Sequence, residues 1–100
     1  GIVGLTKSMA MELGDYGVRV NAICPGAVSG DRMTRVLSME SKASGISEDN
    51  LRRVYSEGTS MRSFVSEENV ADMALFLASD QASMITGQAM AVDGYTERTV

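Results

Sequence analysis

The sequence predicts an α/β fold in which two parallel strands are flanked by helices. Three features carry that expectation. Apolar residues recur at helical spacing in two separated stretches, 2–13 and 66–79. Each stretch is followed by a short apolar run of strand character, 18–23 and 88–92, and each run is closed by a turn pair, Pro25-Gly26 and Asp93-Gly94. Helix then strand, twice over with a long excursion between, is the order that lays two strands side by side in a parallel sheet.

The first helix places Ile2, Leu5, Met9 and Leu13 near a helical period, with Gly1, Gly4 and Ser8 as a small-residue face that permits close approach of another backbone. Gly14 is placed as its C-cap, and Asp15 to Gly17 turn the chain. Val18, Val20, Ala22 and Ile23 form a run suited to a strand covered on both faces. That strand is expected to stop at Pro25, which has no N–H for a ladder, and Gly26, which turns without steric cost. In open parallel sheets ligands bind beyond the carboxyl ends of the strands, so residues 25–28 are either a ligand wall or a plain structural turn.

A polar loop, Ser29 to Arg32, follows, then a short helix over 33–39 carrying Met33, Val36 and Leu37. The polar, glycine-containing stretch 40–50 is expected to be mobile, in the manner of a lid. Residues 49–57 read as a solvated helix with Leu51, Val54 and Tyr55 on one side and Arg52 and Arg53 outward. Ser66 is placed to cap the next helix, Glu67 and Glu68 suit the positive end of its dipole, and Val65 and Val70 have the spacing of a hydrophobic staple. Val70, Met73, Ala74 and Leu77 form its apolar stripe before Ser79-Asp80 ends it. After the strand at 88–92, Tyr95 to Val100 read as a polar tail.

One hundred residues with 44% apolar and 22% charged side chains allow one small globular unit. A net charge of −4 without a dense Lys/Arg cluster argues against a nucleic-acid partner. No apolar run approaches the roughly 20 residues needed to span a bilayer, so no membrane partner is expected. A lone cysteine, Cys24, excludes an internal disulfide and favours a reducing, cytoplasmic setting. Histidine is absent, which removes the commonest general base and metal ligand, and no metal site is expected. The chain opens in helical rhythm with no cap ahead of it, which reads as a segment of a longer protein. Two strands are marginal by themselves, so the isolated chain is expected to fold poorly or to associate.

Residues 1–13 (from Gly1-Ile-Val-Gly to Leu13), the run Gly17 to Gly26 with its Arg-Val-Asn and Cys-Pro-Gly, the block Glu68 to Ala71 with Phe76 to Asp80, and Ile85-Thr-Gly-Gln through Asp93-Gly94 together resemble the short-chain dehydrogenase/reductase family. The resemblance implies the C-terminal portion of a doubly wound, parallel-sheet, Rossmann-like domain, with residues 1–100 as one partial domain and 29–58 as its substrate-loop subregion. It implies an NAD- or NADP-dependent oxidoreductase that transfers a hydride between the nicotinamide and an alcohol/carbonyl substrate. Pro25, Gly26, Ala27 and Val28 would line the nicotinamide pocket, with the Val28 backbone bonded to the carboxamide.

The family's Tyr-x-x-x-Lys pair would end just before Gly1, and its catalytic Ser and Gly-rich loop lie further upstream. No catalytic residue is therefore assigned within these 100. Many relatives carry a cofactor-contacting Thr where Gly30 stands, and Thr34 is the available substitute; a second Gly is common where Tyr95 stands. Asn21 is expected to satisfy buried backbone groups. Met33, Leu37, Met39 and Leu51 either wall an apolar pocket or pack the subregion on the sheet. The resemblance also implies a homodimer or homotetramer and a partnership with the N-terminal half of the same domain. The alternative reading is a non-catalytic truncated paralogue that serves as an oligomerisation or interaction module.

Overall fold

A computed structural model describes residues 1–96; the end of the expected polar tail, 97–100, lies outside the described residues. The elements are α1 (Ile2–Leu13), β1 (Ala22–Pro25), α2 (Asp31–Ser44), α3 (Glu48–Glu57), α4 (Glu67–Ala78) and β2 (Ala89–Val92), with single 3₁₀ turns at Gly14–Tyr16 and Asp80–Ala82. β1 and β2 pair in parallel, Ala22 with Ala89 through Pro25 with Val92. The α/β order and the parallel pair follow the sequence expectation; several boundaries do not.

α1 covers the expected residues, but its small-residue face of Gly1, Gly4 and Ser8 is exposed, and the buried face is a different one. Thr6 and Ala10 are buried, and Ala10 Cβ lies 3.4 Å from where a Cβ on Gly87 would be. Ile2 and Leu5 are 74% and 60% exposed, so the N-terminal part of the apolar stripe faces outward, while Leu13 is half-buried. The C-cap also shifts. Gly14 stays right-handed and continues into the 3₁₀ turn, and Gly17, at φ 71°, makes the left-handed turn.

β1 starts four residues later than expected and includes Pro25. The Ala22 and Gly26 nitrogens donate to Gln88 O and Val92 O at 2.9 and 3.0 Å. The nitrogens of Ile23 and Pro25 therefore point to the other edge, where a missing hydrogen removes no bond of this ladder. Upstream, side-chain bonds and one backbone bond replace the regular ladder. Val20 N donates to Thr86 Oγ1 at 3.0 Å, and Gly87 N donates to Val20 O at 2.7 Å. Asn21 Nδ2 donates to Ile85 O and Asn21 Oδ1 accepts from Gln88 N, at 2.9 and 3.1 Å. Asn21 thus satisfies backbone groups, as the sequence led us to expect.

The stretch 40–50 is not an unstructured lid. α2 runs on to Ser44, Gly45 turns left-handed at φ 78°, and Ser47 caps α3 by accepting from Asn50 N at 3.2 Å. Local capping chemistry closes a helical hairpin here. Its seam is apolar: Leu37 is fully buried and Leu51 nearly so, whereas Met39 faces out. Tyr55 Oη donates to Glu40 Oε2 at 3.0 Å, and its ring lies 6.5 Å from that of Phe64.

α4 begins as expected at the Ser66 cap. Asn69 N donates to Ser66 Oγ, and Ser66 N donates to Asn69 Oδ1, a reciprocal capping box. Leu77 is buried and Val70 and Met73 are half-buried, but Ala74, Leu75 and Phe76 are exposed.

The described side chains that are buried and apolar are few: Ala10, Leu37, Leu51, Val65, Leu77 and Ala82. The accessible surface is 7281 Å², against about 5,500 Å² for a compact monomer of this mass. The radius of gyration is 16.7 Å, against about 13 Å for a compact 100-residue unit. Exposed large apolar side chains include Ile2, Val3, Leu5 and Met11 on α1 and Leu75 and Phe76 on α4.

Beyond β2, Gly94 and Tyr95 both have positive φ, 62° and 60°. Tyr95 is held there by its N–H donating to Asp93 Oδ1 and by its carbonyl accepting from Ser60 N, both at 2.8 Å. Its ring is largely exposed and loses little on removal. A left-handed non-glycine residue costs about 1–2 kcal/mol, partly offset by the chain entropy that glycine would add. Tyr95→Gly is expected to stabilise the complete protein by about 0.5–1 kcal/mol, read as a rise in the urea midpoint. A lower midpoint would show that the ring contributes more than the backbone strain.

Candidate functional site

Parallel pairing brings the carboxyl ends of β1 and β2 to one edge, and the loops leaving them meet there. At Gly26 the two loops touch. A Cβ at this position would fall 2.8 Å from Asp93 Cβ and 3.0 Å from Asp93 Cα. Only glycine permits that approach.

The next three residues run beside the segment that leads into α4. Val65 N donates to Ala27 O at 2.9 Å, and Ser29 N donates to Val65 O at 2.8 Å. In an extended segment successive peptide groups alternate sides. The N–H and C=O of Val28 therefore face away from Val65, and among the described residues neither has a backbone partner. One donor and one acceptor of the same residue are left pointing together, beside a cavity that Val28 lines.

That cavity, of about 630 Å³, is walled by Pro25, Gly26 and Val28 on one side and by Met33, Val36 and Glu67 on the other. Gly30 joins the walls at φ 144°, ψ −174°, a conformation that glycine alone adopts readily. Glu67, the first residue of α4, reaches across it, and its Oε1 lies 2.6 Å from where a Cβ on Gly30 would be. Thr34 is turned away from the cavity. Its Oγ1 donates to Gly30 O at 3.1 Å and accepts from Arg52 Nη2 at 3.4 Å, so it does not stand in for a side chain at 30.

Of the residues singled out from the sequence, Pro25, Gly26 and Val28 line the cavity, and Ala27 instead spends its carbonyl on Val65. Met33 walls it, while Leu37 and Leu51 pack the helical hairpin. Val65, Asp93 and Glu67 are the participants that sequence reasoning missed. Glu67 reads as a helix-dipole residue, and only the glycine at 30 hinted at a space to be filled. A second groove, about 720 Å³, lies between α4 and β2 against Phe64, Met73, Phe76 and Val92; it is an uncovered apolar face.

Acid–base chemistry is sparse here. Histidine is absent, and Tyr16, Tyr55 and Tyr95 are followed four residues later by Val20, Thr59 and Thr99 rather than by a lysine. Among the described residues no three His, Cys, Asp or Glu side chains gather where they could share a metal ion. No helix among them is long and apolar enough to cross a membrane.

Residues 1–96 match the family model described as enoyl-(acyl carrier protein) reductase. The chain is 39% identical over 95 residues to the D-beta-hydroxybutyrate dehydrogenase of Rhizobium meliloti, covering 94% of this chain and 37% of that protein. A short chain dehydrogenase family protein of Francisella tularensis superposes with a TM-score of 0.88 at 30% identity, over 93% of this chain and 38% of that one. The L-sorbose reductase of Gluconobacter frateurii, crystallised with NADPH and L-sorbose, superposes with a TM-score of 0.85 at 26% identity, over 98% and 38%. The chain thus spans somewhat over a third of the length of these relatives.

Proposed function

The chain belongs to the short-chain dehydrogenase/reductase family, and from that premise we propose that the complete protein is an NAD- or NADP-dependent oxidoreductase acting on an alcohol/carbonyl pair. Residues 25–28 are its nicotinamide wall. The observation that carries this reading is the unpartnered N–H and C=O of Val28, side by side at the cavity. A primary carboxamide offers one acceptor and two donors in a plane, and it satisfies both Val28 groups at once. The Gly26–Asp93 approach supports the fit, because it holds the two loops together and fixes where Val28 points.

The nicotinamide supplies the hydride chemistry when bound. This chain's residues bind and orient. The Val28 backbone would hold the carboxamide, and Pro25 and Gly26 would line the ring. Met33 and Val36, within the 29–58 subregion proposed to face substrate, exclude water from the opposite wall. The proton-transferring tyrosine and lysine that the family resemblance implies are not among these 100 residues. On this reading residues 1–100 are the C-terminal part of the cofactor-binding domain, and they are inactive alone. The large uncovered surface supports a close association with the rest of that domain and with further copies of the protein, and the lone Cys24 supports a reducing, cytoplasmic setting.

Titrating the complete protein with NADH and with NADPH, while following nicotinamide fluorescence, tests the reading. Saturable enhancement at micromolar concentration with at least one of them is expected, and none with the 100-residue chain alone. Absence of binding by the complete, folded protein overturns it. Tight binding by the isolated chain instead favours the alternative, a module that needs no further half.

A further inference from the structure

We infer that Thr59 is a positioning residue for the cavity beyond β1: clasped against residues 94–96, it sets the angle at which the α2–α3 hairpin stands over residues 25–28. This rests on the cofactor reading above. The hairpin needs such a fixing point. Among the described elements α2 and α3 pack chiefly on each other, through the seam of Leu37 and Leu51. Its entry is Gly30, which has no side chain to brace the turn. Met33 and Val36 wall the cavity from the first turns of α2, so their distance from Pro25, Gly26 and Val28 depends on how the hairpin is held at its exit.

Unusual backbone builds that exit. Thr59, just past α3, is buried, and its Oγ1 donates to Ser56 O at 3.0 Å and accepts from Ser63 N at 3.2 Å. The same residue forms an antiparallel bridge with Thr96. Beside it, Ser60 N donates to Tyr95 O at 2.8 Å and Met61 N donates to Gly94 O at 3.2 Å. The two non-glycine residues with positive φ among the described residues, Arg62 at 52° and Tyr95 at 60°, both lie in this clasp. Such backbone persists only where its surroundings hold it, and it gathers where geometry serves function. Asp93, whose Oδ1 accepts from Tyr95 N at 2.8 Å, is also the residue that meets Gly26. The hairpin exit and the loop at 25–28 are thus registered on one segment, residues 93–96.

The experiment measures acrylamide quenching of the fluorescence of NADH, or of NADPH if that binds more tightly, on the complete protein. Wild type is compared with Thr59→Val, Thr59→Ser and Tyr95→Pro. Valine keeps the volume of threonine and removes the hydroxyl. Proline can neither adopt a φ of 60° nor donate to Asp93. Each of these two releases the hairpin, and quenching is expected to rise about twofold or more as water and acrylamide reach the ring. Affinity for the cofactor is expected to stay within about threefold, because the Val28 groups that hold the carboxamide are untouched. Thr59→Ser keeps the hydroxyl and is expected to quench as wild type does. Slow amide exchange in β1 and β2 shows that a variant is folded, and if Thr59→Val fails that check Tyr95→Pro decides. Wild-type quenching in the folded variants, whatever their loss of stability, overturns the inference and leaves the cofactor reading intact. Failure of the folded wild type to bind either cofactor overturns both.

Discussion

Replacing Arg19 with methionine is expected to destabilise the complete protein by about 3 kcal/mol. Arg19 enters from the segment before β1 and closes the carboxyl end of α4. Its Nη1 donates to Leu77 O at 2.6 Å and to Ala82 O at 2.9 Å, and Nη2 donates to Ser79 O at 3.4 Å. α4 has no basic residue in its own last turn, so this distant guanidinium satisfies the orphan carbonyls and opposes the helix dipole. Hydrogen bonds from a charged donor contribute about 1.5–3 kcal/mol each, and half-burial reduces the sum. Methionine keeps the apolar stem and removes all three donors. Arg19→Lys places one compact charge where a planar fork worked, and about half of the loss should remain. Urea unfolding measures both; a loss below about 1 kcal/mol for Arg19→Met would show that water replaces the guanidinium without cost.

Gly26→Ala is expected to remove about 2–3 kcal/mol and to weaken cofactor binding by a factor of ten or more. The added methyl group meets Asp93 Cβ at 2.8 Å and Asp93 Cα at 3.0 Å, and the latter is backbone that cannot swing aside. Relief comes only by parting the ends of β1 and β2, which rotates the Val28 peptide groups off their common direction. Gly26→Ala with Asp93→Gly removes one of the two colliding atoms and should recover part of the stability. Thermal unfolding and NADH titration of the single and double variants check this. Full stability with full affinity in Gly26→Ala would mean that the loop crossing is loose and does not aim Val28.

Much of the fold was legible because its signals are local. The Ser66 cap and the apolar period behind it fixed where α4 starts, and the two turn pairs marked where both strands end. The misreadings come from tertiary context. Residues 18–21 have strand composition but pair through Thr86 and Asn21 side chains and the single backbone bond from Gly87 N to Val20 O, because the 85–88 turn does not present a regular edge. Residues 40–50 look loop-like by polarity, yet Gly45 and Ser47 each supply a cap that the two flanking helices share out. The outward part of the α1 stripe has the right period, but the period names a face and not what covers it.

The cavity was legible only in part, for the same reason. Pro25-Gly26 after an apolar run announces the end of a strand at a sheet's ligand edge, and three of the four residues at 25–28 do line the cavity. Nothing near residue 26 in the chain announces Asp93, 67 residues on, or Val65, which occupies one side of the loop and so turns Val28 toward the other. Glu67 was visible as a helix-start residue; its reach over Gly30 follows from the packing of α4 against the loop.

The most direct measurement is the amide spectrum of the complete protein, isotope-labelled and titrated with NAD⁺ and NADP⁺. The account predicts that the Val28 amide shifts and gains protection from exchange with at least one of the two, with the Gly26 and Ala27 amides moving alongside and those of the α2–α3 seam near Leu37 and Leu51 unmoved. Saturable cofactor binding that leaves the Val28 amide in place would contradict it, and would put the nicotinamide somewhere other than the loop beyond β1.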